Sequence, residues 1–298
     1  MVCSFSRFSL SRFLPTATPF YVKMRPREPT VEAMPPSVLP TLDHFDFRDY
    51  DTFYEPSDDT YLLIDALHAD TAWLKDCSPK VCLELGPGSG VVLTSLHALL
   101  AGVGHHPILL AVDVNPAATA ATAATAAANG ATLVETVCAD LAFCLADRLA
   151  GVVDVLVFNP PYVPTPPSEV GGGGGASTGG AGGAGGIQAA WAGGERGRQV
   201  IDRFLPLVPK LLSPGGCLYL VLVVENDPAE VASWLKDRGL AVTMLAVRRA
   251  RNERLYVLKA VKPAGMASIG SSGSNGGDDI GARNGSPGGR AGGSGSCG

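Results

Sequence analysis

The chain has 298 residues, a formal net charge of −5 and 46% apolar residues. This balance, without a lysine run or a long basic stripe, argues against nucleic acid as a dominant partner, because duplex binding rests on neutralising phosphates. No apolar run approaches the roughly 20 residues of a membrane span, and seven cysteines without a Cys-x-x-Cys spacing read as buried free thiols of a reducing compartment, with no metal site.

Residues Met1 to Arg27 carry Arg7, Arg12, Lys23, Arg25 and Arg27, several serines and no acid, so residues 1–41 read either as an organellar transit peptide or as a disordered leader. From Ser57 a helix is expected, with a serine cap, Asp58 and Asp59 at its positive end, and Tyr61, Leu62, Leu63, Ala66 and Leu67 on one face. Val81 to Leu85 reads as a strand running into Gly86-Pro87-Gly88-Ser89-Gly90 and a second helix through Leu100. Ile108 to Val112 is a further strand ending in Asp113, and Asn115-Pro116 opens an alanine-rich helix closed by Asn129-Gly130. Thr132 to Val137 and Val152 to Phe158 follow as strands, the first leading to Asp140-Leu141 and the second to Asn159-Pro160-Pro161-Tyr162. Gly171 to Gly186 form an insert with almost nothing to bury, expected to be disordered and neutral for activity. Beyond it come a helix from Arg198 to Leu212, a strand from Leu218 to Val224, a helix from Pro228 to Arg238, and strands Ala241–Val247 and Arg254–Val261. The last two are joined by a turn holding Arg248, Arg249, Arg251 and Arg254, read as a solvated basic edge. Residues 262–298 form a Gly/Ser-rich disordered tail.

Alternating strands and helices over 42–261 imply one α/β domain: a doubly wound, mostly parallel seven-stranded sheet, helices on both faces, and an antiparallel hairpin at one edge. In such a sheet ligands lie outside the carboxyl ends of the strands. Glu84, Gly86, Gly88, Gly90, Asp113, Asp140 and Asn159 all fall at strand ends. The glycine turn lacks the third glycine of a dinucleotide fingerprint, and a carboxylate at Glu84 would repel a pyrophosphate while suiting the ammonium of a methionine moiety. Asp113 stands where a carboxylate accepts hydrogen bonds from ribose hydroxyls. S-adenosyl-L-methionine therefore fits better than a nicotinamide cofactor.

Asn159-Pro160-Pro161-Tyr162 carries the chemistry. An amide nitrogen is a poor nucleophile because its lone pair is delocalised, so a catalyst must hold it and limit that delocalisation. The Asn159 side-chain oxygen and the Pro160 carbonyl would each take one N–H of a planar NH2 group, with Pro161 stiffening the grip and Tyr162 packing on the group. This reading leaves glutamine, adenine N6 and lysine open as acceptors; the low basic charge disfavours nucleic acid, and planarity disfavours lysine.

Tyr54-Glu55-Pro56-Ser57-Asp58-Asp59-Thr60, the glycine turn, Asp113-Val114-Asn115-Pro116, Phe158 to Tyr162 with Pro166-Pro167, Ala190 to Gly194 and Arg203 to Pro209 together resemble the eukaryotic HemK-like glutamine methyltransferases. The resemblance covers nearly all of residues 50–261. It implies a Rossmann-like methyltransferase fold and methylation of the glutamine in the Gly-Gly-Gln motif of the class-one translation termination factor. The expected setting is the cytoplasm, with the nucleus as a further compartment, or an organelle where residues 1–41 act as a transit peptide. It also implies a small zinc-binding activator subunit, forming a heterodimer by pairing with the strand at Thr132 to Val137. By the same resemblance Thr60 and Glu84 through Gly90 line the methionine end, Asp113 the ribose, and Asp140 with Leu141 the adenine. Asn159 then faces the substrate amide.

Overall fold

The computed structural model of the protein describes residues 39–166, 190–250 and 253–265. Residues 1–38 of the leader, the glycine-rich insert 171–186 and the tail from residue 266 lie outside the described residues, as does Arg251, whereas the last leader residues are described, with Leu39 packed on the core and Thr41 paired with Asn129. The elements in chain order are α1 (Asp58–Ala69), α2 (Thr71–Cys77), β1 (Val81–Leu85), α3 (Val91–Gly102), β2 (Ile108–Asp113), α4 (Pro116–Ala128), β3 (Val134–Cys138), β4 (Val153–Phe158), α5 (Gln199–Phe204), α6 (Val208–Leu211), β5 (Leu212–Val223), α7 (Pro228–Lys236), β6 (Ala241–Ala250) and β7 (Glu253–Val261).

The seven strands form one sheet in the order β3-β2-β1-β4-β5-β7-β6. Neighbours from β3 to β5 run parallel, and β7 pairs antiparallel with both β5 and β6. This is the doubly wound sheet with an antiparallel end that the strand–helix alternation implies. The chain reverses its direction of travel across the sheet between β1 and β4, whose register brings Leu85 opposite Phe158. Residues 86 and 159 therefore leave the sheet side by side, and the crevice lies there.

Central strands bury both faces: Leu83 and Leu85 on β1, Val155, Leu156 and Val157 on β4, and Leu218 to Val221 on β5 are fully inaccessible. Each such side chain contributes roughly 1.5–3 kcal/mol relative to exposure, so this slab dominates the stability of the domain. The edge strand β3 differs, since none of its five residues is fully buried.

Local chemistry explains the element ends. Asn115 caps α4 by accepting from the Ala117 N–H at 2.9 Å, with Pro116 at the first helical position. Asp227 caps α7 by accepting from the Glu230 N–H at 3.1 Å. The structure also departs from the sequence reading in several places. The helix expected from Arg198 to Leu212 breaks into α5, a 3-10 turn at Leu205–Leu207, and α6. Pro206 and Pro209 remove two amide donors within four residues, which an unbroken helix does not tolerate. β5 starts at Leu212 instead of Leu218, because a register shift between Val153 and Val155 lets the strand pass through Gly215 at φ +85°. β3 begins two residues late, after Leu133 at φ +60°. Arg248 is no solvated edge residue, since its guanidinium reaches the buried Asp65 at 2.5 Å. The thiols of Cys82 and Cys217 are buried and Cys77 is partly buried, but Cys138, which ends the edge strand β3, and Cys144, in the 3-10 turn beyond it, lie exposed.

Candidate active site

The glycine turn after β1 is shaped by backbone conformation. Gly86, Gly88 and Gly90 have φ of +60°, +56° and +79°, the left-handed region that β-carbons disfavour. A β-carbon at Gly90 would also stand 2.7 Å from the Thr122 Cα of α4. From behind, Thr122 and Thr125 donate to the Gly88 and Ser89 carbonyls at 3.3 and 2.6 Å, so α4 fixes the turn. Asp113 accepts from the Asn115 N–H at 2.9 Å and, at the limit of hydrogen bonding, from the Gly88 N–H at 3.4 Å, which joins the ends of β1 and β2. Burial raises its carboxyl above the usual range.

Glu84 is 1% exposed, and its Oε2 has no hydrogen-bond partner. Burial, reinforced by the Asp113 charge, pushes its carboxyl up to about 8, against the lowering effect of the Leu93 amide. A carboxyl left unsatisfied beside a glycine turn calls for a cation or a hydrogen-bond donor.

At the end of β4, Pro160 and Tyr162 are buried and Asn159 and Pro161 partly so. Asn159 donates from Nδ2 to Asp59 Oδ2 at 2.9 Å, while its own Oδ1 is buried without a partner. Tyr162 donates its hydroxyl to the same carboxylate at 3.1 Å, and Tyr54 does so at 3.2 Å. Burial and the Asp59 charge raise both phenols well above their ordinary value, which keeps them protonated as donors. Tyr54 also lies over the glycine turn, where a β-carbon on Gly88 would meet its Cβ at 3.6 Å.

The backbone of Asn159–Tyr162 is clamped from the far side. A β-carbon at Gly197, φ +65°, would stand 1.8 Å from the Tyr162 carbonyl oxygen, and one at Gly193 would stand 2.6 Å from the Pro161 oxygen. The fully buried Asn226 donates from Nδ2 to the Tyr162 carbonyl at 2.9 Å.

The structure thus gathers Glu84, Gly86, Gly88, Gly90 and Asp113 at one end of the crevice and Asn159 to Tyr162 at the other. Tyr162 is held through its hydroxyl by Asp59. Thr60 sits in the first turn of α1, its Oγ1 accepting from the Ser57 N–H at 3.3 Å, a helix-capping position. Asp140 lies two residues past β3 with its side chain 55% exposed and paired with Arg203, and Leu141, at φ +49°, packs into the core. Sequence reasoning gave no site role to Asp59 or Tyr54, which entered there only as a helix-end charge and as part of the Tyr54 to Thr60 motif, and it missed Gly197 and Asn226. The adjacent acids Asp58 and Asp59 were a signal, because a single acid suffices for the helix end. Asn226 had none.

A doubly wound sheet with a glycine turn after β1, an acid ending β2 and Asn-Pro-Pro-Tyr ending β4 defines a Rossmann-like methyltransferase. The comparisons narrow the class. The chain is 46% identical over 216 residues to Methyltransferase HEMK2 of Mus musculus, covering 72% of this chain and 91% of that protein. It is 29% identical over 230 residues to the eRF1 methyltransferase catalytic subunit mtq2 of Schizosaccharomyces pombe, covering 74% and 94%. Among solved structures, the E. cuniculi Mtq2-Trm112 complex, described as responsible for methylating the eRF1 translation termination factor, matches with a TM-score of 0.50 and 29% identity over 71% of this chain and 99% of that one. No protein-family model matches the chain. The chain belongs to the HEMK2 methyltransferase family and is an enzyme.

Proposed function

We propose that this methyltransferase transfers a methyl group from S-adenosylmethionine to the side-chain amide nitrogen of glutamine in the Gly-Gly-Gln motif of a class-one translation termination factor. The observation that carries the reading is the buried, unpartnered Oδ1 of Asn159, an acceptor aimed at a donor that the protein does not supply. A primary amide offers two N–H donors in one plane, and Asn159 Oδ1 with the Pro160 carbonyl would take both. That grip draws the lone pair out of amide conjugation and fixes its direction.

The residues at the other end fit the cofactor. Glu84 Oε2 suits its ammonium, Asp113 its ribose, the glycine turn its methionine backbone, and Asp140 with Leu141 its adenine. The cofactor supplies an electrophilic methyl group. The protein supplies alignment, exclusion of water by Tyr54 and Tyr162, and acceptor oxygens beside a nitrogen that becomes positive as it is methylated.

The partner we infer is a small zinc-binding subunit on β3. In support, β3 is an open edge with no fully buried residue, and Leu133, Phe143 and Val114 are exposed near its two ends. An unpaired edge flanked by apolar side chains is a liability unless covered. This substrate, with the buried thiols Cys82 and Cys217, favours a cytoplasmic setting.

The test is to incubate the chain, co-expressed with such a subunit, with methyl-labelled cofactor and a termination factor bearing Gly-Gly-Gln or Gly-Gly-Ala. Label confined to the glutamine form is expected. Equal label on both sinks the glutamine assignment, and label on lysine or on adenine in nucleic acid would point to those acceptors instead.

A further inference from the structure

Asn159 has two chemically opposite ends on one planar group. If the amide turned over, Nδ2 would face the acceptor, and two sets of N–H donors would meet. The structure prevents this from one side only. Asp59, on the first turn of α1 and 3% exposed, receives the Asn159 Nδ2–H, the hydroxyls of Tyr162 and Tyr54, and the Thr60 N–H at 2.7 Å. A carboxylate is acceptor-only, so it selects the end of the amide it meets. The consequence is visible at the other end, where Oδ1 is buried with nothing bound to it. Leaving that oxygen unsatisfied costs about 1–3 kcal/mol, so the orientation persists because the bond to Asp59 is charge-assisted.

We propose that Asp59 is the positioning residue of the acceptor site: it holds Asn159 with Oδ1 toward the substrate nitrogen, with Tyr54 and Tyr162 holding Asp59 in turn. This rests on the acceptor reading of the preceding section and names the group that makes it possible. During transfer the acceptor nitrogen forms its bond to the methyl carbon with its lone pair, the carbon–sulfur bond breaks with its pair going to sulfur, and the nitrogen then loses one proton to water. Between those events the nitrogen is cationic. Negative charge on Asp59, passed through the polarised Asn159 amide, stabilises it without touching it.

The test is a double-mutant cycle on the full chain co-purified with its partner subunit, using Asp59→Asn and Asn159→Ala. Isothermal titration of the cofactor and kcat and KM on the Gly-Gly-Gln factor are measured for each variant. Asp59→Asn keeps the shape but adds a donor where only acceptors belong. It is expected to leave cofactor affinity and KM within about threefold and to lower kcat about 100-fold, the scale of one lost orienting group. In the Asn159→Ala background the same change is expected to cost less than about threefold, because the residue it acts through is gone. Equal losses in both backgrounds, or a kcat that survives Asp59→Asn, overturn the proposal. If Asp59→Asn does not fold, Asp59→Glu enters the same cycle and must show the same non-additivity. A wild-type complex that labels no glutamine overturns the acceptor reading, and this inference with it. A wild-type complex that labels glutamine with an additive cycle overturns this inference alone.

Discussion

Glu84→Gln tests the site through the one carboxyl that folding leaves unsatisfied. In the folded chain without cofactor its carboxyl is pushed from an ordinary 4.5 to about 8 by complete burial. That rise corresponds to roughly 5 kcal/mol of disfavoured ionisation. A carboxyl raised on folding stays protonated in the native state while it ionises in the unfolded one. Its contribution to stability is therefore fully present below about pH 4.5 and is lost between 4.5 and 8. The slope is about 1.4 kcal/mol per pH unit inside that window and zero above it. Glutamine has no ionisation to suppress, so Glu84→Gln gains stability over wild type as pH rises from 5 to 8 and holds a constant lead beyond. Urea denaturation at unit pH steps measures this. Cofactor binding moves the opposite way, because its ammonium needs the carboxylate. Below pH 8 wild-type affinity falls about tenfold per pH unit, and binding at pH 6.5 releases about one proton, read by titration in buffers of different ionisation enthalpy. Glu84→Gln binds more weakly at pH 8.5, by about 100-fold or more, with no proton release. Parallel stability profiles for the two proteins, or binding without proton release, would refute the account of Glu84.

Asn159→Ala should keep cofactor affinity within a few-fold while kcat falls about 100-fold or more, since it removes an acceptor and no cofactor contact; a collapse of affinity with turnover intact contradicts its role. Gly197→Ala forces a β-carbon onto the Tyr162 carbonyl, and thermal unfolding should show a loss of more than about 2 kcal/mol together with reduced kcat. Leu133→Asp places a charge at the open edge of β3, leaves the isolated fold within about 0.5 kcal/mol by urea denaturation, and should abolish co-purification with the small subunit proposed for that edge.

Much of the framework was legible from local pattern. β1 and β2 fall where apolar runs end in Gly86 and Asp113, and α4 begins at its Asn-Pro cap, because a buried strand and a capped helix each depend on neighbouring residues. The failures share a cause. β5 extends to Leu212, and the Arg198–Leu212 segment breaks at Pro206, because pairing across the sheet and proline geometry outweigh apolar periodicity. Arg248 looked like a solvated edge charge because its partner, Asp65, is 183 residues away.

The Asn-Pro-Pro-Tyr motif, by itself, led to the expectation of a planar nitrogen acceptor at the end of β4, since two prolines free a carbonyl and an asparagine adds an oxygen. It could not determine which end of the Asn159 amide faces the substrate. That choice belongs to Asp59, 100 residues earlier and on another element, and to the two tyrosines that meet it. An amide's orientation depends on whatever stands against it in space, and chain proximity carries no trace of that neighbour until the helix packs beside the sheet.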